Sequence, residues 1–173
     1  MTREQPKVGD TPRDARDVDI QWGLAKREDF PEDAAMVGWV EAALESAGRD
    51  DVAVSIRIMD REEIALLNEN YRENPVSTNV LSFPAEGEDE DGRQLLGDIA
   101  LCSDVIVDEA SEQGKTLSAH VSHMLVHGVL HLLGYDHMEE EEAVVMERLE
   151  TDLLDGFGFP DPYDCVTGRG GQR

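Results

Sequence analysis

Over 51–59 (DVAVSIRIM) every second residue is apolar, so Val52, Val54, Ile56 and Ile58 share one face and the spacing predicts a half-buried strand. The stretch 17–22 (DVDIQW) alternates in the same way. From 31 to 47 the period changes: Pro31 opens a segment in which Met36, Val37, Val40 and Leu44 recur at helical spacing. Asp60 followed by Glu63 reads as a capping box for a helix over 61–71. Strands near 79–83 (NVLSF) and 96–102 (LGDIALC) follow, then helices over 104–113, 117–133 and 138–155. Strands come early and helices late, and two strands are joined by a turn-rich loop. That order favours a mixed sheet of about four strands covered by helices over a doubly wound parallel sheet. Residues 1–16 read as a flexible polar arm, 17–157 as one domain and 158–173 as a flexible Gly- and Pro-bearing tail.

Composition narrows the class. No apolar run approaches the roughly 20 residues that a membrane-spanning helix needs, and the charged first twenty residues lack the apolar core of a secretory signal. The expectation is a soluble, cytoplasmic protein without a membrane partner. Cys102 and Cys165 form no CxxC pair and read as two reduced thiols. With 39 Asp and Glu against 15 Lys and Arg, the formal net charge is −24. Only Lys7, Lys26 and Lys115 are lysines, a pattern shared by acidic proteins of salt-rich cytoplasm, where screening relieves self-repulsion. The same charge disfavours a general nucleic-acid-binding face, so any such function must be local. The patch AEGEDEDGRQ at 85–94 reads as a solvated acidic loop.

The chemistry is concentrated in HVSHMLVHGVLHLLGYDH, 120–137. At 100° per residue His120, His123, His127 and His131 fall within a stripe about 80° wide on an otherwise apolar helix. One buried imidazole is easily satisfied, but four in one stripe need several polar partners. His127 and His131 stand one turn apart, the spacing at which two imidazoles reach one metal ion. His123 lies about 12 Å from His131 along the axis and cannot join both. Gly134 can take the left-handed conformation that ends a helix, which folds His137 back as a third ligand.

The resulting H-x3-H-x5-H spacing, with its glycine, matches the three-histidine zinc motif of the metzincin proteases. The protease's general-base Glu is replaced by Gly128, which demotes a protease reading. Three neutral imidazoles would leave zinc its full charge and an open fourth position, which suits an anionic substrate. A coincidental histidine cluster and a closed structural site are the alternatives. Asp136 has two readings: N-cap of the next helix with Glu139 completing a capping box, or a group that orients a ligand histidine or acts on water. Glu139 to Glu142 suit the first turn of that helix. Arg57 interrupts VSIRIM on the face opposite Ile56 and Ile58. It reads as ordinary surface, or, in an anion-handling enzyme, as a guanidinium that faces the metal and holds phosphate.

These motifs resemble the bacterial YbeY family of zinc-dependent endoribonucleases. The resemblance rests on HGVLHLLGYDH at 127–137, NENYR at 68–72, STNVLSFP at 77–84, LLGDIALC at 95–102 and the EEEEAVVMERLE helix. It implies an α+β fold with a zincin-like metal site, and one Zn2+ held by His127, His131 and His137. It also implies a functional arginine at Arg57, single-stranded RNA as substrate, and a role in ribosomal RNA maturation and ribosome quality control with the small ribosomal subunit and its assembly factors as partners. The family's usual G-K-D-x-P-T after Tyr71 and Arg72 is replaced by ENPVST, which loses a lysine. His120 and His123 read as groove residues, and His123, Arg72 and Lys115 as groups that attract phosphate or support the site. The alternatives are a metzincin-like hydrolase of another substrate and a non-enzymatic ribosome assembly factor with a structural zinc.

Overall fold

The computed structural model describes residues 16–24, 26–72, 78–135 and 139–163, without the side chains of Tyr71 and Arg72. Among the described residues four strands and five helices follow one another as β1 (Arg16–Trp22), α1 (Asp33–Ser46), β2 (Val52–Met59), α2 (Arg61–Arg72), β3 (Val80–Pro84), β4 (Gln94–Cys102), α3 (Ser103–Gln113), α4 (Leu117–Leu132) and α5 (Glu140–Gly156). The fold is α+β, with one sheet in the order β1-β2-β4-β3. β1, β2 and β4 run parallel, and β3 pairs antiparallel with β4, so the sheet is mixed as the element order suggested.

The alternation in β2 sets the layers. Val52, Val54, Ile56 and Ile58 are buried against Met36, Val40 and Leu44 of α1 and against Val121, Leu125 and Val129 of α4. The intervening residues face the other way, where Met59 packs with Ile64 of α2, Leu81 and Ala100. Helix α4 is therefore an inner element: its outer side, through Val126 and Leu130, meets Met146 of α5. A helix enclosed on both sides has to be apolar nearly all round, as this one is. Among the described residues no helix is long and apolar enough to cross a membrane.

Several details differ from expectation. Helix α5 begins at Glu140 with Glu139 in the N-cap position, and Asp136, read as a possible cap, lies outside the described residues; Glu140, Glu141 and Glu142 fill the first turn, where the helix dipole favours acids. Asp60 accepts from the Glu63 amide at 2.9 Å, but the Glu63 carboxylate turns to Arg57 instead of closing the capping box. The chain also keeps making contacts beyond 157: Phe159 lies edge-on to Trp39, with ring centroids 5.8 Å apart, and Tyr163 reaches back to α5. At the other end Arg16 already belongs to β1, and the residues before it lie outside the described ones. The acidic loop is held around Arg93, which is buried and paired with Asp89 and Asp91. Cys102 is a buried free thiol whose pKa is raised by burial; Cys165 lies outside the described residues.

Candidate metal centre

Helix α4 starts at Thr116, whose Oγ1 accepts from the Ala119 amide at 3.1 Å. It stops in a Schellman turn: the Gly134 amide donates to the carbonyl of His131 and the Tyr135 amide to that of Leu130, both at 3.0 Å, with Gly134 at φ 102°. The glycine thus ends the helix in the conformation expected of it. Between these ends the histidine stripe divides into a buried part and an open part.

In the buried part, His120 Nε2 lies 2.9 Å from Glu109 Oε1, and Asn79 Nδ2 donates to the same oxygen at 3.1 Å. His123 Nε2 lies 2.9 Å from Glu150 Oε1 and 3.2 Å from the Tyr163 hydroxyl. His120 and His123, read from the sequence as groove residues, are 2% and 7% exposed and turned to carboxylates. In the open part, His127 and His131 are half-buried and their Nε2 atoms lie 3.1 Å apart. The other ring nitrogen of His127, Nδ1, is 2.7 Å from Glu150 Oε2.

Glu150 is the residue that sequence reasoning missed. It is fully buried on α5. Burial pushes its carboxyl up, but hydrogen bonds from His123, His127 and Tyr163 outweigh that and hold it down at about 2. The Tyr163 hydroxyl is raised, by burial first and then by Glu150. One signal could have found Glu150: it lies four residues after Met146 and four before Leu154, on the buried stripe of an otherwise acidic helix.

His137 and Asp136 lie outside the described residues, and among those described no three His, Cys, Asp or Glu side chains converge as a metal site. The Arg72 side chain is likewise outside them. Lys115 donates to the Pro162 carbonyl at 3.4 Å, and burial lowers its pKa. Arg57 is not brought to the histidines. It alternates with Ile56 and Ile58, which face α4, and its Nε donates to Glu63 Oε2 of α2 at 2.8 Å. The sheet lies between the guanidinium and α4, which corrects the expectation of an arginine facing the metal.

The donor set suits zinc in two respects. Two nitrogens held at 2.0–2.1 Å by a tetrahedral ion sit about 3.3 Å apart, close to the 3.1 Å found. A carboxylate on the far nitrogen of a ligand histidine is the usual outer partner of such an ion.

Residues 25–158 match a family profile described as Endoribonuclease YbeY. The chain belongs to the endoribonuclease YbeY family. Relatives described as Endoribonuclease YbeY include one from Cellvibrio japonicus, 47% identical over 147 residues, covering 85% of this chain and 82% of the relative. Another, from Alcanivorax borkumensis, is 48% identical over 150 residues, covering 84% and 85%. A third, from Psychromonas ingrahamii, is 45% identical over 149 residues, covering 84% and 94%. The solution structure of a Thermotoga maritima protein shares the fold at a TM-score of 0.54 and 23% identity, over 90% of this chain and 99% of that one. The YbeY match includes α4, α5 and Glu150 and ends before Tyr163.

Proposed function

We propose that this chain is a zinc-dependent endoribonuclease that cleaves single-stranded RNA during ribosomal RNA maturation and ribosome quality control in the cytoplasm. The small ribosomal subunit and its assembly factors are its partners. The observation that carries the reading is the convergence of the His127 and His131 Nε2 atoms at 3.1 Å, at the half-buried end of α4, in a chain of the YbeY family.

His127, His131 and His137 would hold the ion. When bound, zinc supplies a concentrated positive charge that polarises a phosphodiester and makes water more acidic. The chain's own residues set the rest. Leu133, Gly134 and Tyr135 end the helix just past His131. Glu150 is turned inward, saturated by three donors and fully buried, so it orients His127 and cannot act as a base on substrate. Gly128 offers no base either, which argues against peptide hydrolysis. In a chain of net charge −24, RNA must be attracted at this centre rather than by the surface as a whole, so cleavage should depend strongly on salt.

The test is zinc content per chain, measured beside cleavage of a single-stranded RNA, for wild type, His127→Ala and His131→Ala. Stoichiometric zinc and salt-sensitive cleavage, both lost in the two folded variants, is the expected result. Cleavage that persists in His131→Ala after chelation would assign the activity to a contaminant and leave an assembly factor with a structural zinc.

A further inference from the structure

We propose that Glu150 is a positioning residue for His127: its carboxylate keeps the proton of that ring on Nδ1, so that Nε2 presents a lone pair toward His131.

The argument is one of donors and acceptors. An ionised carboxylate only accepts, so each ring nitrogen that faces it must carry a hydrogen. Glu150 uses both oxygens: Oε2 takes His127 Nδ1 at 2.7 Å, and Oε1 takes His123 Nε2 at 2.9 Å together with the Tyr163 hydroxyl. In their neutral forms the two rings are therefore opposite tautomers on one carboxylate, His127 with its hydrogen on Nδ1 and His123 on Nε2. On His123 the other nitrogen, Nδ1, is buried and has no hydrogen-bond partner among the described residues. A ring turned so as to leave that atom unpaired is held by what its Nε2 does, which is to donate to Glu150.

The same arrangement explains why α5 buries a carboxylate between Met146 and Leu154, each 1% exposed. With Nδ1–H committed to Glu150, the His127 ring cannot flip or carry its proton at Nε2, the atom that lies 3.1 Å from His131 Nε2. Which nitrogen of a histidine is free to bind a metal is set by the bond the other makes. Tyr163 ties the segment after α5 into the same carboxylate, so the chain's final described residue takes part in orienting a ring on α4.

The purpose given to this arrangement rests on the zinc reading above, while the tautomer itself does not. The experiment uses the full-length chain. Two-dimensional 15N–1H spectra of the metal-free protein, at a pH where the rings are neutral, should show His127 with a protonated Nδ1 and a bare Nε2, and His123 with the reverse. Zinc titration should then show Glu150→Gln, folded by circular dichroism, binding about 10- to 100-fold more weakly than wild type, because one amide oxygen cannot serve three donors. A wild-type His127 protonated mainly at Nε2 would overturn the proposal, as would a folded Glu150→Gln whose zinc affinity matches wild type. Should that variant not fold, the wild-type tautomers decide alone. A wild type with the expected tautomers but no zinc affinity would sustain the assignment of Glu150 and sink the metal reading instead.

Discussion

Gly128 is pressed against Ile99: a Cβ at this helical position would sit 3.1 Å and 3.2 Å from Ile99 Cγ2 and Cδ1, and 3.3 Å from Ser82 Oγ. Ser82 in turn donates to the Gly128 carbonyl at 3.2 Å, joining β3 to α4 at this point. Position 128 is where a metzincin carries its general base. The structure gives that departure a packing reason, since the helix face at 128 is turned to the sheet and not to solvent.

Two substitutions separate packing from propensity. An exposed Gly→Ala change inside a helix gains about 0.5–1 kcal/mol, and Gly38 in α1 should show that gain, because it is exposed and a methyl group there would meet nothing within 4 Å. At Gly128 an overpacking cost of about 1–3 kcal/mol opposes it, because Ile99 is itself buried and cannot withdraw. Urea denaturation should therefore find Gly38→Ala stabilised and Gly128→Ala unchanged or destabilised by up to about 2 kcal/mol. A Gly128→Ala protein as stabilised as Gly38→Ala would show that the contact is not tight.

Much of the fold was legible because periodicity reports burial directly. The faces of β2 and β4, the five helices and the glycine stop after His131 all follow from which residues are apolar and where. The strand order β1-β2-β4-β3 was not legible, since nothing local states which strands become neighbours. The candidate site was half legible. His127 and His131 announce themselves by spacing, whereas Glu150 sits among eight other acids between 139 and 161 and is distinguished only by facing α4. Arg57 illustrates the opposite failure: alternation placed it correctly opposite Ile56, but the sequence could not say that α4 and its histidines lie on the Ile56 side.

Zinc should stabilise the folded chain in proportion to its binding. At a free concentration 100 times the dissociation constant, a ligand specific for the native state adds about 2.7 kcal/mol, which for a chain of this size raises Tm by about 5–10 °C. Calorimetry with and without zinc should show that rise in wild type and none in His131→Ala. Chelator should return wild type to the metal-free Tm. An unchanged wild-type Tm at saturating zinc would contradict a native-state metal site.

His120 gives the chain a stability that depends on pH. Burial lowers the pKa of its ring from 6.5, although the hydrogen bond to Glu109 opposes the shift. A depressed pKa means that the unfolded chain binds a proton first as pH falls, so stability is fully present above about 6.5 and is lost as pH drops through the folded value. Urea midpoints for wild type should therefore decline from about pH 7 toward about pH 5 more steeply than those of His120→Gln, which keeps a polar group but does not titrate. Equal slopes would show that another group governs this range.

Arg57 and Glu63 join β2 to α2 by an ion pair whose side chains are 43% and 35% exposed. A pair so open to solvent contributes at most about 1 kcal/mol, and Arg57→Ala should lower stability by no more than that. Because the sheet separates Arg57 from α4, the same variant should bind zinc at His127 and His131 with wild-type affinity. The two measurements decide different things. A stability loss beyond this bound would mean that the guanidinium also supports the packing of α2 around Ile64, whereas a zinc affinity weakened tenfold would mean that the arginine reaches the proposed metal centre around the edge of the sheet.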